Sequence, residues 1–195
     1  MLHAYIKLIE FYLPEKIETN ENLIKENPEW NIQKISSKTG IKQRHIAAID
    51  ETSLDMAVKV GNIFFKKNPK IKNEIDYLIF CTQSPDYFLP TSACIIQDKL
   101  GLNTHIGAID VNQGCSGFVY SIGLAKGLIE SKQASNVLLI TSETYSKFIN
   151  KSDKSVRTLF GDGSACTLIS STNKKELFIS PVIHGTDGSG ANDLI

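Results

Sequence analysis

The sequence has no cysteine pair at metal-binding spacing, no long apolar run and no excess charge of either sign, and each absence removes a class of function. Its four cysteines, at 81, 94, 115 and 166, are scattered and form no C-x-x-C unit, which argues against a zinc site and a disulfide framework. Lys plus Arg equals Asp plus Glu, at 21 each, so no net field recruits nucleic acid or an anionic membrane surface. The apolar runs are short and broken by Lys, Asp or Gly, so none reads as a transmembrane span. The opening residues, Met1 to Leu8, lack the basic start and small-residue cleavage site of a signal peptide. The expectation is a soluble, cytoplasmic chain with no metal, no nucleic-acid partner and no membrane partner.

What is present fits an ordinary globular domain. A hydrophobic share of 42% and a charged share of 22%, over 195 residues, are enough to bury a sizeable core. Strand patterns are expected at 3–9, 75–81, 106–111, 136–141 and 164–170, with 177–183 as a hairpin partner of the last. Helical patterns are expected after Pro28, over 55–67 behind the capping box Thr52-Ser-Leu-Asp55, over 91–100 stopped by Gly101, and from Cys115 to about Ser131. Alternating strands and helices, with nearly continuous apolar strands, indicate an α/β fold: a parallel or mixed sheet layered α/β/α.

Cys115 is the candidate catalytic residue. In Ile106-Gly-Ala-Ile-Asp-Val-Asn-Gln-Gly-Cys-Ser-Gly-Phe-Val-Tyr120 an apolar run ends at Val111, small and polar residues turn the chain, and a helical pattern follows. A thiol at a helix N-terminus meets unpaired N–H groups and the positive end of the helix dipole, which favour the thiolate nucleophile. The layout follows the logic of a serine nucleophile elbow with cysteine in the serine's place. Cys81, Cys94 and Cys166 are expected as small buried apolar residues.

Other features carry less chemistry. Phe160-Gly-Asp-Gly-Ser164 fits no dinucleotide or P-loop spacing and precedes a strand, so it reads as a tight turn. Gly185-Thr-Asp-Gly-Ser-Gly190 reads as a loop. None of His3, His45, His105 and His184 has a local context that marks a catalytic base.

Four segments together resemble the ketoacyl-acyl-carrier-protein synthase III family of the thiolase superfamily. Lys38-Thr-Gly-Ile-Lys-Gln-Arg-His-Ile-Ala47 is similar to the family's Arg-Thr-Gly-Ile-x-x-Arg-His-Ile segment, and Leu89-Pro-Thr-Ser-Ala-Cys94 to its Phe-Pro-Ser-x-Ala segment. Asp110-Val-Asn-Gln-Gly-Cys-Ser-Gly-Phe118 resembles the nucleophile motif, and Phe160-Gly-Asp-Gly-Ser-Ala165 the Phe-Gly-Asp-Gly-Ala turn. The resemblance implies the N-terminal half of a duplicated thiolase-like fold, with a mixed, mainly parallel five-stranded sheet. Residues 1–184 are then the nucleophile-bearing half, and 185–195 a loop toward an absent C-terminal half that carries a catalytic His and Asn. The chain is accordingly expected to be incomplete.

The implied activity is acyl transfer from acyl-CoA or acyl-carrier protein to Cys115, then decarboxylative condensation with malonyl-carrier protein. It needs no resident cofactor, because the coenzyme A thioester is a substrate. The implied partners are acyl carrier protein, acyl-CoA and a second copy in a homodimer, with Phe88 and Leu89 in a loop that reaches the partner's acyl pocket. Lys34, Lys38 and Lys154 stand where better-known members place a Trp and two Arg against CoA, while Trp30 lies four residues upstream of Lys34. Alternative readings are a non-catalytic scaffold subunit and an acyltransferase or hydroxymethylglutaryl-type synthase using the same acyl-cysteine.

Overall fold

The computed structural model describes residues 2–174 and 177–193. One five-stranded sheet is built from β1 (His3–Tyr12), β4 (Tyr77–Cys81), β5 (Gly107–Val111), β6 (Asn136–Glu143) and β7 (Gly163–Thr172), in the order β1-β7-β6-β4-β5. β4 pairs in parallel with β5 and β6, whereas β7 is antiparallel to both β6 and β1. Four strands therefore run one way and β7 alone is reversed, so the sheet is mixed and mainly parallel.

Side-chain alternation along the strands builds two cores. Leu78 and Phe80 on β4, Leu138 and Ile140 on β6, and Leu168 on β7 face α3 (Ser53–Lys67) and α4 (Ser92–Lys99). Ile79 and Cys81, with Leu139 and Ile169, face α5 (Gly117–Glu130) through Ile122, Ala125 and Ile129. Both sheet faces are covered, which is why the central strands are apolar throughout rather than alternating. α3 starts where the sequence places it, with Thr52 and Asp55 forming a reciprocal capping box. Gly101 ends the α4 segment at φ +59°, a conformation that costs glycine no steric strain.

A smaller layer precedes α3. β2 (Lys16–Thr19) and β3 (Gln43–Ile46) form a hairpin-like pair around α1 (Asn20–Glu26) and α2 (Ile32–Thr39). Leu23, Trp30 and Ile35 make its own small core. α1 was not expected from the pattern, because only one of its side chains is both apolar and fully buried; Thr19 and Asn22 cap it.

The expected hairpin strand at 177–183 is absent. Both edges of β7 are already occupied, by β6 and β1, so no edge is left for that segment to join. It instead touches the edge strand, with Ile179 N–H donating to the Ala4 carbonyl at 2.7 Å. A short 3-10 turn over Gly188–Asp193 follows, and residues 194 and 195 of the expected terminal loop lie outside the described residues.

Candidate active site

The parallel strands end in register. Val111 of β5, Cys81 of β4 and Thr141 of β6 are lateral partners, and Ala165 of β7 continues the row. In open α/β sheets the crevice beyond the carboxyl ends of the strands is where ligands bind. The chain leaves β5 there, crosses Asn112 to Ser116 and enters α5, so Cys115 stands above this row.

Cys115 is exposed. With Cys81, Gly114, Phe118, Thr141 and Glu143 it lines a cavity of about 240 Å³. The helix starts two residues later than the sequence pattern places it: Ser116 is the cap residue and Gly117 the first helical residue. Cys115 therefore belongs to the turn before the helix, closed by the Gly117 N–H donating to the Gly114 carbonyl at 2.8 Å. Ser116 Oγ turns back to Gln113 Oε1 at 3.0 Å and leaves the first turn of α5 without a side-chain cap. The turn closes over Cys81, whose thiol donates to the Gln113 carbonyl at 3.6 Å. Burial raises the Cys81 thiol above the ordinary range, which keeps it protonated.

A larger cavity, about 830 Å³, lies elsewhere, between Tyr12, Glu51, Lys59 and Lys99. None of its lining residues comes from the cysteine turn. The smaller cavity is the one that holds the exposed Cys115 thiol, at the strand ends.

The cysteines divide differently from the sequence expectation. Cys81 and Cys166 are buried, but Cys94 is exposed. α4 packs inward through Ala93, Ile96 and the following Leu100, which turns Cys94 outward, with Thr91 Oγ1 at 3.1 Å from its sulfur.

The other anticipated residues are dispersed around the chain. Lys34 and Lys38 lie exposed on α2, and Lys154 is the half-buried first residue of α6 (Lys154–Arg157). No hydrogen bond or ion pair among the described residues joins the three. Trp30, buried at 6% exposure between Leu23 and Ile35, serves as core. Phe88 and Leu89 stand out from the loop between β4 and α4 at 99% and 82% exposure.

The sequence segments that look like motifs meet in pairs. Asp110 accepts from the Ser92 and Ala93 N–H groups, each at 2.7 Å, so the segment that leads into the Cys115 turn caps the helix of the Pro-Thr-Ser-Ala segment. Asp162 of the Phe-Gly-Asp-Gly turn accepts from Ala47 N–H at 2.8 Å and from Ser146 N–H at 3.0 Å. Its neighbour Gly161 lies so close to the His45 carbonyl that a Cβ there would be 2.8 Å from the oxygen. Arg44, buried, donates through Nε to the Thr158 carbonyl at 2.9 Å and through Nη1 to Asn20 Oδ1 at 2.8 Å. These charged residues act as structural joints, a role invisible in sequence because their partners are distant along the chain.

Sheet order, paired helix layers and the cysteine turn define one half of a thiolase-like α/β/α fold. Residues 109–188 match the family model of 3-oxoacyl-[acyl-carrier-protein (ACP)] synthase III. The β-ketoacyl-[acyl-carrier-protein] synthase III of Sulfurovum sp. (strain NBC37-1) is 40% identical over 198 residues, covering 100% of this chain and 57% of the relative. That of Sulfurimonas denitrificans is 40% identical over 199 residues, covering 100% and 58%. A crystal structure of 3-oxoacyl-(acyl-carrier-protein) synthase III superposes with a TM-score of 0.95 at 48% identity, over 99% of this chain and 57% of that one. The Thermus thermophilus enzyme of the same description gives 0.89 at 30% identity, over 98% and 58%. The chain is thus similar to 3-oxoacyl-[acyl-carrier-protein] synthase III proteins and spans a little over half the length of the relatives it matches.

Proposed function

We infer that this chain is the nucleophile-bearing part of a 3-oxoacyl-ACP synthase III-type condensing enzyme. The observation that carries the reading is Cys115, an exposed thiol in a turn at the carboxyl ends of parallel strands, opening on a cavity of about 240 Å³. Its thiolate attacks the thioester carbonyl of acyl-CoA or acyl-ACP; the C–S bond to the carrier breaks, and the carrier thiol leaves with a proton. Malonyl-ACP then loses CO₂, and the resulting enolate carbon attacks the Cys115 thioester. A carbon–carbon bond forms, the Cys115 thiolate departs, and 3-oxoacyl-ACP is released. The Cys115 backbone N–H supplies one donor to the developing oxyanion.

The same reading takes the CoA thioester as a substrate, requires no resident cofactor, and places the reaction in the cytoplasm. It assigns the phosphates of CoA or phosphopantetheine to Lys34, Lys38 and Lys154 as point charges. It also takes the chain as a homodimer. β5 is an edge strand with one unpaired side, and the exposed Phe88–Leu89 loop projects from the neighbouring β4–α4 connection.

The condensation is tested by incubating the chain with acyl-CoA and malonyl-ACP and measuring CO₂ and 3-oxoacyl-ACP. Stoichiometric release of both supports it. Acylated Cys115 with no CO₂ release would restrict the chemistry to acyl transfer.

A further inference from the structure

Glu143, the last residue of β6, lines the same cavity as Cys115. It is half-buried, and among the described residues no Lys, Arg or His forms an ion pair with it. Its two oxygens are committed to the turn after β4. Oε1 accepts from the Gln83 N–H at 2.7 Å and Oε2 from the Ser84 hydroxyl at 2.8 Å. Ser84 Oγ in turn accepts from the Thr144 N–H at 3.0 Å, so the clasp closes back on the end of β6.

The clasp reaches the nucleophile through Gln83. A Cβ on Gly114 would lie 2.3 Å from Gln83 Oε1, so the Gln83 side chain rests directly on Gly114. Gly114 is the residue before Cys115, and its carbonyl closes the turn that presents the thiol. We propose that Glu143 is a positioning residue: by clasping Gln83 and Ser84 it holds the Gln83 side chain against Gly114 and fixes the Cys115 turn.

The surroundings favour hydrogen bonding over ion pairing as its function. Thr82, Gln83 and Ser84 face it from the β4 turn, Cys81 from β4, and Gln113 and Cys115 from the turn before α5. Asp162 contributes a like charge. A carboxylate kept in such company is held by its two donors, and removing it leaves the Gln83 N–H without a partner.

The role of the turn as a nucleophile site rests on the reading of Cys115 above; the mechanical link does not. The test compares Glu143→Ala with Glu143→Gln, whose amide still offers an acceptor to the Gln83 N–H and a donor to Ser84 Oγ. Hydrogen exchange of residues 112–117 and acylation of Cys115 by acyl-CoA are measured together. In Glu143→Ala, exchange in the turn is expected to rise by about tenfold while core amides of β4 and β6 stay protected, and acylation to fall by a similar factor. In Glu143→Gln both are expected within about threefold of the starting protein. Unchanged exchange in Glu143→Ala, or failure of Glu143→Gln to restore it, overturns the proposal. If the unsubstituted chain takes no acyl group, the reading of Cys115 fails while exchange still decides this inference.

Discussion

The sulfur of Cys81 occupies the space in which a side chain on Gly117 would begin. A Cβ there would lie 2.4 Å from Cys81 Sγ. The first residue of α5 is thus glycine because the floor of the site is already filled by a buried thiol. Gly117→Ala gains about 1 kcal/mol of helix propensity but overpacks this contact at a cost of about 1–3 kcal/mol. We expect net destabilisation in urea unfolding, relieved when Cys81→Ala is added. A Gly117→Ala chain more stable than the parent would show that the contact relaxes freely.

Glu143 makes stability depend on pH. Burial raises its carboxyl above the ordinary value of 4.5, outweighing the hydrogen bonds from the Gln83 backbone and Ser84. The unfolded chain therefore ionises first as pH rises. The contribution of Glu143 to stability is fully present below about pH 4.5, falls as pH rises through the folded-state value, and stays lost above it. Unfolding free energies from pH 4 to 8 should show the Glu143→Gln chain gaining on its parent with rising pH. A constant difference across that range would contradict the assignment.

Asp110 stands five residues before Cys115, and both its oxygens cap α4. Asp110→Ala should cost about 1–2 kcal/mol of stability through loss of the cap and its favourable charge at the helix N-terminus. Asp110→Asn should recover part of that cost. Equal stability of the alanine variant would show that the cap carries no load.

With Trp30 buried and Lys34 exposed on α2, neither residue offers CoA an aromatic face. Lysines meet phosphates without planar stacking. Titration of CoA against an adenine-free phosphopantetheine thiol should show affinities within about threefold. Discrimination of tenfold or more in favour of CoA would require an adenine contact elsewhere.

Much of the fold was legible because apolar period and turn chemistry agree along most of the chain. Thr52 and Asp55 mark the start of α3, and Gly101 closes the α4 segment. Reading failed where tertiary geometry decides. The segment 177–183 looks like a strand, but β1 and β6 had already taken both edges of β7. Cys94 looks like core until the packing of Ala93 and Ile96 fixes which face of α4 is outward. Cys115 was readable because its strand, turn and helix are contiguous. Glu143 was not, because its partners are about 60 residues away in sequence, and a lone glutamate at a strand end carries no local signal.

Acylation of Cys115 is the central claim, and intact-protein mass spectrometry after incubation with a panel of acyl-CoAs and acyl-carrier proteins tests it most directly. Cys94 is the other exposed thiol, so Cys115→Ser and Cys94→Ser controls are run in parallel. We predict a single acyl adduct that survives Cys94→Ser and disappears in Cys115→Ser. An adduct that persists in Cys115→Ser, or a folded chain that takes up no acyl group from any donor, would contradict the assignment of Cys115 as the nucleophile.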